Sequence, residues 1–142
     1  MLIRKIEIND YYSIAEIIRN DLGYKESNDN NVQIRLNKIK KKNNYKTIVA
    51  EINKMVVGFV GIERILGYEF DGEYIRLCAL AVKKEYRNKG IGKSLIKYIE
   101  EYAKHKKING IVLSSRKQRN ESHIFYEKMG YIKKGYSFIK RL

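Results

Sequence analysis

The sequence predicts one mixed β-sheet with helices on both faces, an α/β or α+β class, and three stretches carry that expectation. Tyr74 to Val82 is an apolar run with little alternation, the pattern of a central strand buried on both faces. Ile91, Leu95, Ile99 and Tyr102 follow at steps of four, four and three, an amphipathic helix. Two stretches rich in β-branched residues, Lys46 to Ile52 and Met55 to Ile65, flank Asn53-Lys54 and read as a hairpin.

The remaining elements follow in chain order. Leu2 to Ile8 alternates imperfectly and predicts a first strand. Asn9 and Asp10 offer N-cap oxygens for a helix whose apolar residues are Ile14, Ile17, Ile18 and Leu22, with Gly23 as its stop. Glu26 to Asn31 is polar and reads as a loop. Val32, Leu36 and Ile39 predict a second helix, with Lys38, Lys40, Lys41 and Lys42 where the helix dipole favours cations, and Asn43-Asn44 ends it. Gly67 to Glu73 is a turn holding Glu69, Asp71 and Glu73. Gly110 to Ser114 predicts a short strand, and Glu121 to Met129 a short helix closed by Gly130. Tyr131 to Leu142 predicts a last pair of strands about a turn at Gly135.

A chain of 142 residues is expected to form a single domain, 1–142, and is long enough for one core without staples. No apolar run reaches the ~18 residues of a membrane helix, and a lone cysteine, Cys78, permits no internal disulfide. These features predict a soluble, cytoplasmic protein with no membrane partner. Two histidines and one cysteine predict no metal site. The net charge of +14 is spread along the chain rather than gathered in one block. It favours polyanions in general, including a phosphate-rich cofactor, and does not by itself select nucleic acid.

The stretch Arg87-Asn88-Lys89-Gly90-Ile91-Gly92-Lys93-Ser94 joins the buried strand to the long helix. Glycines there allow close backbone approach, and the opening N–H groups of a helix suit a phosphate or pyrophosphate. The P-loop pattern fails because its first glycine would fall at Arg87; the dinucleotide pattern fails because its third would fall at Leu95.

Arg87-x-x-Gly90-x-Gly92 resembles the signature [QR]-x-x-G-x-[GA] of GNAT acetyltransferases, set between the fourth strand and the third helix. A second stretch, Asn120-Glu121-Ser122-His123-Ile124-Phe125-Tyr126-Glu127-Lys128-Met129-Gly130-Tyr131, is similar to that family's N-x-x-A-x-x-F-Y-x-x-x-G-F segment. The hairpin through Val49-Ala50-Glu51 and Gly58-Phe59-Val60-Gly61 is also typical, so the resemblance runs through nearly the whole chain. It implies a GNAT fold: a mostly antiparallel sheet of about six to seven strands with about four helices. It implies acetyl-CoA as cosubstrate, its pyrophosphate on the amides of Arg87, Asn88, Lys89, Gly90, Ile91, Gly92 and Lys93, with the Ser94 hydroxyl nearby. Leu80, Ala81 and Val82 would pair with the pantetheine arm, and the Val82 amide would polarise the thioester carbonyl. Asn120 would contact the arm, and Tyr126 would protonate the departing thiolate.

A phenol suits that role because its pKa of ~10 keeps it protonated at neutral pH, beside a sulfur whose thiol lies at ~8.5. The base is harder to place. Family members often carry a carboxylate on the fourth strand, whereas Arg76-Leu77-Cys78-Ala79-Leu80 has none. Glu73 is the candidate base, with Glu69 and Asp71 beside it. Apolar flanks make Cys78 a packing residue rather than a nucleophile. His123 stands where the motif has a small residue, and His105 lies near a helix C-terminus.

The resemblance therefore implies an acyltransferase that moves acetyl to a primary amine of a small molecule by direct transfer in a ternary complex. Protein lysine or N-terminal acetylation, and non-catalytic binding of coenzyme A or nucleic acid, are the alternatives. A homodimer is compatible with the family.

Overall fold

The apolar repeats settle into five strands and four α-helices. In the computed structural model, which describes residues 1–142, these are β1 (Leu2–Lys5), α1 (Tyr11–Asn20), α2 (Asp29–Lys40), β2 (Tyr45–Ile52), β3 (Met55–Leu66), β4 (Glu73–Val82), α3 (Ile91–His105), β5 (Ile111–Leu113) and α4 (Asn120–Lys128). The sheet order is β1-β2-β3-β4-β5, and the three pairs from β1 to β4 are antiparallel. Residues 1–112 form one compact unit and residues 113–142 a second.

In the first unit, register places Tyr45, Glu63 and Arg76 side by side across β2, β3 and β4. Two residues along lie Thr47, Gly61 and Ala79, and two further lie Val49, Phe59 and Ala81. Side chains alternate faces, so these three rows share one face of the sheet. Helices α1 and α2 cover the last row: Tyr11, Ile14, Ala15, Ile17, Val32 and Leu36 pack with Val49, Val56, Phe59 and Ala81, and Ala79 of the middle row packs against this cluster. The opposite face, with Ile48, Val60, Ile62, Ile75 and Leu77 buried, receives α3 through Leu95, Ile96 and Ile99. Each such side chain contributes about 1.5–3 kcal/mol on burial, which favours the two-sided layer.

Two backbone details fix this sheet. Asn53 and Lys54 both take positive φ, 50° and 63°, the two-residue turn whose twist matches the flanking strands. At Gly58 a Cβ would lie 2.9 Å from the Ala81 carbonyl oxygen and 3.3 Å from a Val82 methyl, so only glycine lets β3 and β4 approach there.

The structure differs from the sequence expectation at several edges. β1 ends at Lys5 because Ile8–Asp10 forms a 3-10 turn, in which Asp10 accepts from the Glu7 amide instead of capping α1. α2 starts at Asp29, since the Asn28 side chain accepts from Asn31 N–H, a cap that the polar composition of 26–31 concealed. Residues 131–142 form no strands, so the sheet has five strands rather than six to seven. Ile132, Phe138 and Ile139 there remain exposed, with no buried face to hold a ladder.

The first turn of the fold rests on a polar knot. Arg4 donates to both Asp10 oxygens at 2.7 and 2.9 Å and to Glu51 at 2.8 Å, tying β1, the 3-10 turn and β2. Burial works to raise the Asp10 carboxyl, but the Arg4 fork and the Glu7 amide outweigh it and hold the group below its ordinary 3.8. Its stabilisation is complete above that ordinary value and lost as pH falls through the lower native one. At neutral pH, Asp10→Asn is expected to lose about 1–3 kcal/mol against wild type. Denaturant midpoints should converge in acid, and a gap unchanged to about pH 2 would overturn the assignment.

Candidate functional site

The centre of the first unit is an irregularity in β4. Gly61 pairs with Ala79 and Ile62 with Leu77, leaving Cys78 as an extra residue on β4. The hydrogen bonds register the same event. Ile75 N–H donates to the Gly110 oxygen on the β5 side at 3.0 Å, whereas Lys83 N–H donates to the Val57 oxygen of β3 at 2.8 Å. Residues an even number apart on a regular strand donate to the same side; these donate to opposite sides, the phase shift of a bulge. Counting back from Lys83 turns the N–H groups of Val82 and Leu80 away from β3. With Gly110 beside Ile75 and β5 only three residues long, that edge of β4 is left unpaired. It is an open template for an extended ligand.

This edge runs into an anion cradle. Gly90 caps α3 with φ 80°, and the first helical bond is Ser94 N–H to the Gly90 oxygen at 3.0 Å. The amides of Ile91, Gly92 and Lys93 therefore open the helix without partners inside it, at the positive end of its dipole. Asn88 also takes positive φ, 61°, and Lys89 lies 5.4 Å from the Tyr86 ring centre. Arg87 has a different task from its neighbours. Its guanidinium donates to the Val82 oxygen at 3.1 Å and the Asp21 oxygen at 3.3 Å, and Asp21 also accepts from Lys84 N–H at 3.0 Å. The side chain thus staples the loop to β4 and to the end of α1, and the Arg87 N–H itself donates back to the Lys84 oxygen at 3.3 Å. The Ser94 hydroxyl already donates to the Gly90 oxygen at 3.0 Å.

In the second unit, Asn120 is the first residue of α4, and Tyr126 lies toward its other end. The helix closes with Gly130 at φ 92°; Tyr131 N–H donates to the Tyr126 oxygen and Gly130 N–H to the Glu127 oxygen, both at 3.0 Å. That paired-bond ending brings the residue after the glycine against the last turn. Here the Tyr131 ring sits 5.8 Å from the Tyr126 ring, and the Phe125 ring 5.3 Å from it on another side. Spacing in the motif is thereby explained: the aromatic–glycine–aromatic interval locks the Tyr126 ring. Burial raises the Tyr126 phenol above its ordinary 10.0 and Arg119 counteracts only in part, so it stays protonated at neutral pH. His123 bonds the Arg116 oxygen at 2.8 Å, a local tie within this unit.

Glu73 falls elsewhere. It opens β4 opposite Leu66, its carboxylate is 3.5 Å from Arg64, and it shares a face with Ile75 and Leu77, the side taken by α3. Five residues separate it from the bulge, about 16 Å of strand. Glu69 and Asp71 lie in the exposed connection. Near the bulge the acid is Glu63 on β3, 3.0 Å from Arg76 and opposite Tyr45 in the ladder. Sequence reasoning missed it by searching one strand, although Glu63 stands directly across the hairpin from Arg76. Partial burial raises the Cys78 thiol, with Arg76 opposing, so it remains a protonated thiol. No cluster of three or more His, Cys, Asp or Glu is present, and no helix is long and apolar enough to cross a membrane.

A broken strand edge leading into a glycine-capped helix sets out backbone donors suited to an extended, anionic ligand along β4. The acetyltransferase (GNAT) family matches residues 8–131, through both units, and the chain belongs to it. An uncharacterized N-acetyltransferase of Methanocaldococcus jannaschii is 42% identical over 84 residues, 58% of this chain and 50% of that one. Another, from Bacillus subtilis, is 36% identical over 70 residues, 49% of each chain. The matches span about half the length of these relatives. A GNAT family acetyltransferase of Staphylococcus aureus superposes with TM-score 0.84 at 26% identity, covering 99% of this chain and 98% of that one.

If the helix ending sets the Tyr126 ring, Gly130→Ala should destabilise the protein by about 1 kcal/mol through its strained left-handed backbone. It should also shift Tyr126 ring resonances in NMR. Unchanged stability and unchanged Tyr126 shifts together would refute the locking role.

Proposed function

We propose that this chain moves the acetyl group of acetyl-CoA to a primary amine of a small molecule, by direct transfer with both substrates bound, residues 1–142 acting as one acetyltransferase domain. The observation that carries the reading is the unpaired β4 edge, with Leu80 and Val82 N–H groups turned outward, continuing into the amides that open α3. Acetyl-CoA supplies a thioester-activated acetyl group on an extended amide-bearing arm that ends in a pyrophosphate. The residues fit such a molecule at both ends.

Each residue then has a definite task. The amides from Asn88 to Lys93, with Lys89 and Lys93, hold the pyrophosphate, and Arg87 fixes the loop that presents them. Leu80, Ala81 and Val82 hold the arm by backbone pairing. Because the phosphate cradle lies beyond Val82, the reactive end of the ligand points back toward Leu80 and the bulge at Cys78. Outward amides at Leu80 and Val82 are the donors available to polarise a carbonyl there. Asn120 steadies the arm, and Tyr126 donates toward the leaving sulfur.

The proton ledger limits what Tyr126 can do. Moving a proton from a phenol at ~10 to a thiolate whose thiol lies at ~8.5 is uphill by about 2 kcal/mol, more once burial has raised the phenol. Tyr126 therefore serves best as a hydrogen-bond donor that shares its proton while charge accumulates on sulfur, rather than as a strong acid.

Release of coenzyme A thiol from acetyl-CoA across a panel of small amines and short peptides tests the reading. Turnover with a small amine is expected, and Tyr126→Phe should lower kcat about 100-fold while acetyl-CoA binding holds. An absence of acetyl-CoA binding would overturn the proposal, and full kcat in Tyr126→Phe would remove that residue from the chemistry.

A further inference from the structure

One part of the sheet face is only partly covered by α1 and α2: Ala79 packs against their core and Thr47 is buried, but the space over Gly61 is open. The row Thr47, Gly61, Ala79 crosses β2, β3 and β4 between the helix-covered row Val49, Phe59, Ala81 and the polar row Tyr45, Glu63, Arg76. Its side chains are small, and a Cβ added at Gly61 would meet nothing within 4 Å. The result is a depression in the sheet, beside the β4 bulge, about 10 Å across three strands and about 13 Å between its flanking rows. Apolar side chains bound it on one side and charged ones on the other.

The charged wall is unequal in a telling way. Glu63 has 18% of its side chain exposed, Arg76 has 54%, and their contact is 3.0 Å. Tyr45 lies opposite Glu63 on the other flank. An ion pair with one arm this exposed is weak, so Arg76 can exchange Glu63 for a ligand anion at little cost. Glu63 stays in place on its strand, on the same face as the depression. Side by side, the two offer one site for a cation and one for an anion. A polycationic acceptor would meet Arg76 and the overall charge of +14, both repulsive.

We propose that this depression is the acceptor pocket, and that it selects a primary amine carrying an anionic group, a carboxylate or a phosphate, a few bonds from the nitrogen. Glu63 receives the ammonium, Arg76 turns to the anion, and Thr47, Gly61 and Ala79 form the floor. The assignment rests on the acetyl-transfer reading for its place in a reaction, but the pocket itself is tested without it.

Calorimetric titration in the absence of acetyl-CoA provides that test, with two matched pairs of ligands. One pair is amino acids against their amides; the other is phosphorylated amino sugars against the unphosphorylated forms. At least tenfold tighter binding of the charged member is expected in one pair, and the pair that responds tells carboxylate from phosphate. Arg76→Gln should abolish that preference while leaving the uncharged members unchanged. Gly61→Val, whose added methyls enter open space, should weaken every ligand at least tenfold without lowering the thermal midpoint. Equal or undetectable binding of both members in both pairs overturns the proposal, as does a preference that survives Arg76→Gln. Acetyl-CoA binding, measured on the same preparations, reports separately on the transferase reading: its loss would sink that reading and leave the pocket result standing.

Discussion

One inserted residue in β4 governs what the rest of the first unit can present. A strand in an unbroken sheet spends its N–H groups alternately on its two neighbours. By inserting Cys78, β4 reverses which side its later amides face. Before the bulge, Ile75 bonds toward β5; after it, Lys83 bonds to β3 and the alternate amides of Leu80 and Val82 turn to the side that β5 is too short to reach. The same insertion sets the side-chain rows, because Arg76 and Ala79 end on one face although they are three residues apart. Backbone donors at the edge and a polar row on the face are thus two consequences of one irregularity.

That edge must also be held close to β3, and the tolerance is small. Gly58 faces Val82 in the ladder, and the space over it is filled by the Ala81 carbonyl, a Val82 methyl and an Ile91 methyl. Ile91 is the first residue of α3, so the glycine sets how near the helix start comes to the strand end. Arg87 completes the corner from the other side, bonding the Val82 oxygen and the end of α1. The loop between is short, stapled and poor in freedom, which lowers the entropy lost when its amides take up an anion.

Much of this was legible in the sequence, for identifiable reasons. The long amphipathic α3 and the buried run of β4 announced themselves by periodicity, and the glycine-capped start of α3 followed from Gly90 and Gly92. Tyr126 was found through its interval to Gly130 and Tyr131, an interval that the helix ending now explains through the paired bonds and the ring contact. What stayed hidden was whatever depends on register. Nothing local in Leu77-Cys78-Ala79 marks a bulge, because an extra small residue leaves an apolar run apolar. Glu63 was overlooked for the same reason: its neighbour Arg76 is 13 residues away in the chain. Glu73 drew attention instead because an acidic turn is visible locally, yet alternation puts it on the face taken by α3. The pattern of Tyr131 to Leu142 misled in the opposite direction, since β-favouring residues without a surface to cover do not make a strand.

Charge finally separates two questions that composition merges. A surplus of +14 draws any anion toward the molecule, so it cannot distinguish cosubstrate from acceptor. Local arrangement can. At the α3 start the donors are backbone amides with cationic neighbours, a site that suits a multiply charged phosphate, and the Asp21 carboxylate beside it is already taken by Lys84 N–H and Arg87. On the sheet face the charges are mixed, with Glu63 sheltered and Arg76 exposed. The first arrangement rewards anionic charge alone; the second rewards a molecule that carries both signs close together. The two environments lie at opposite ends of the stretch from Ala79 to Val82, so a single strand separates them by a few residues and by the face it turns to each.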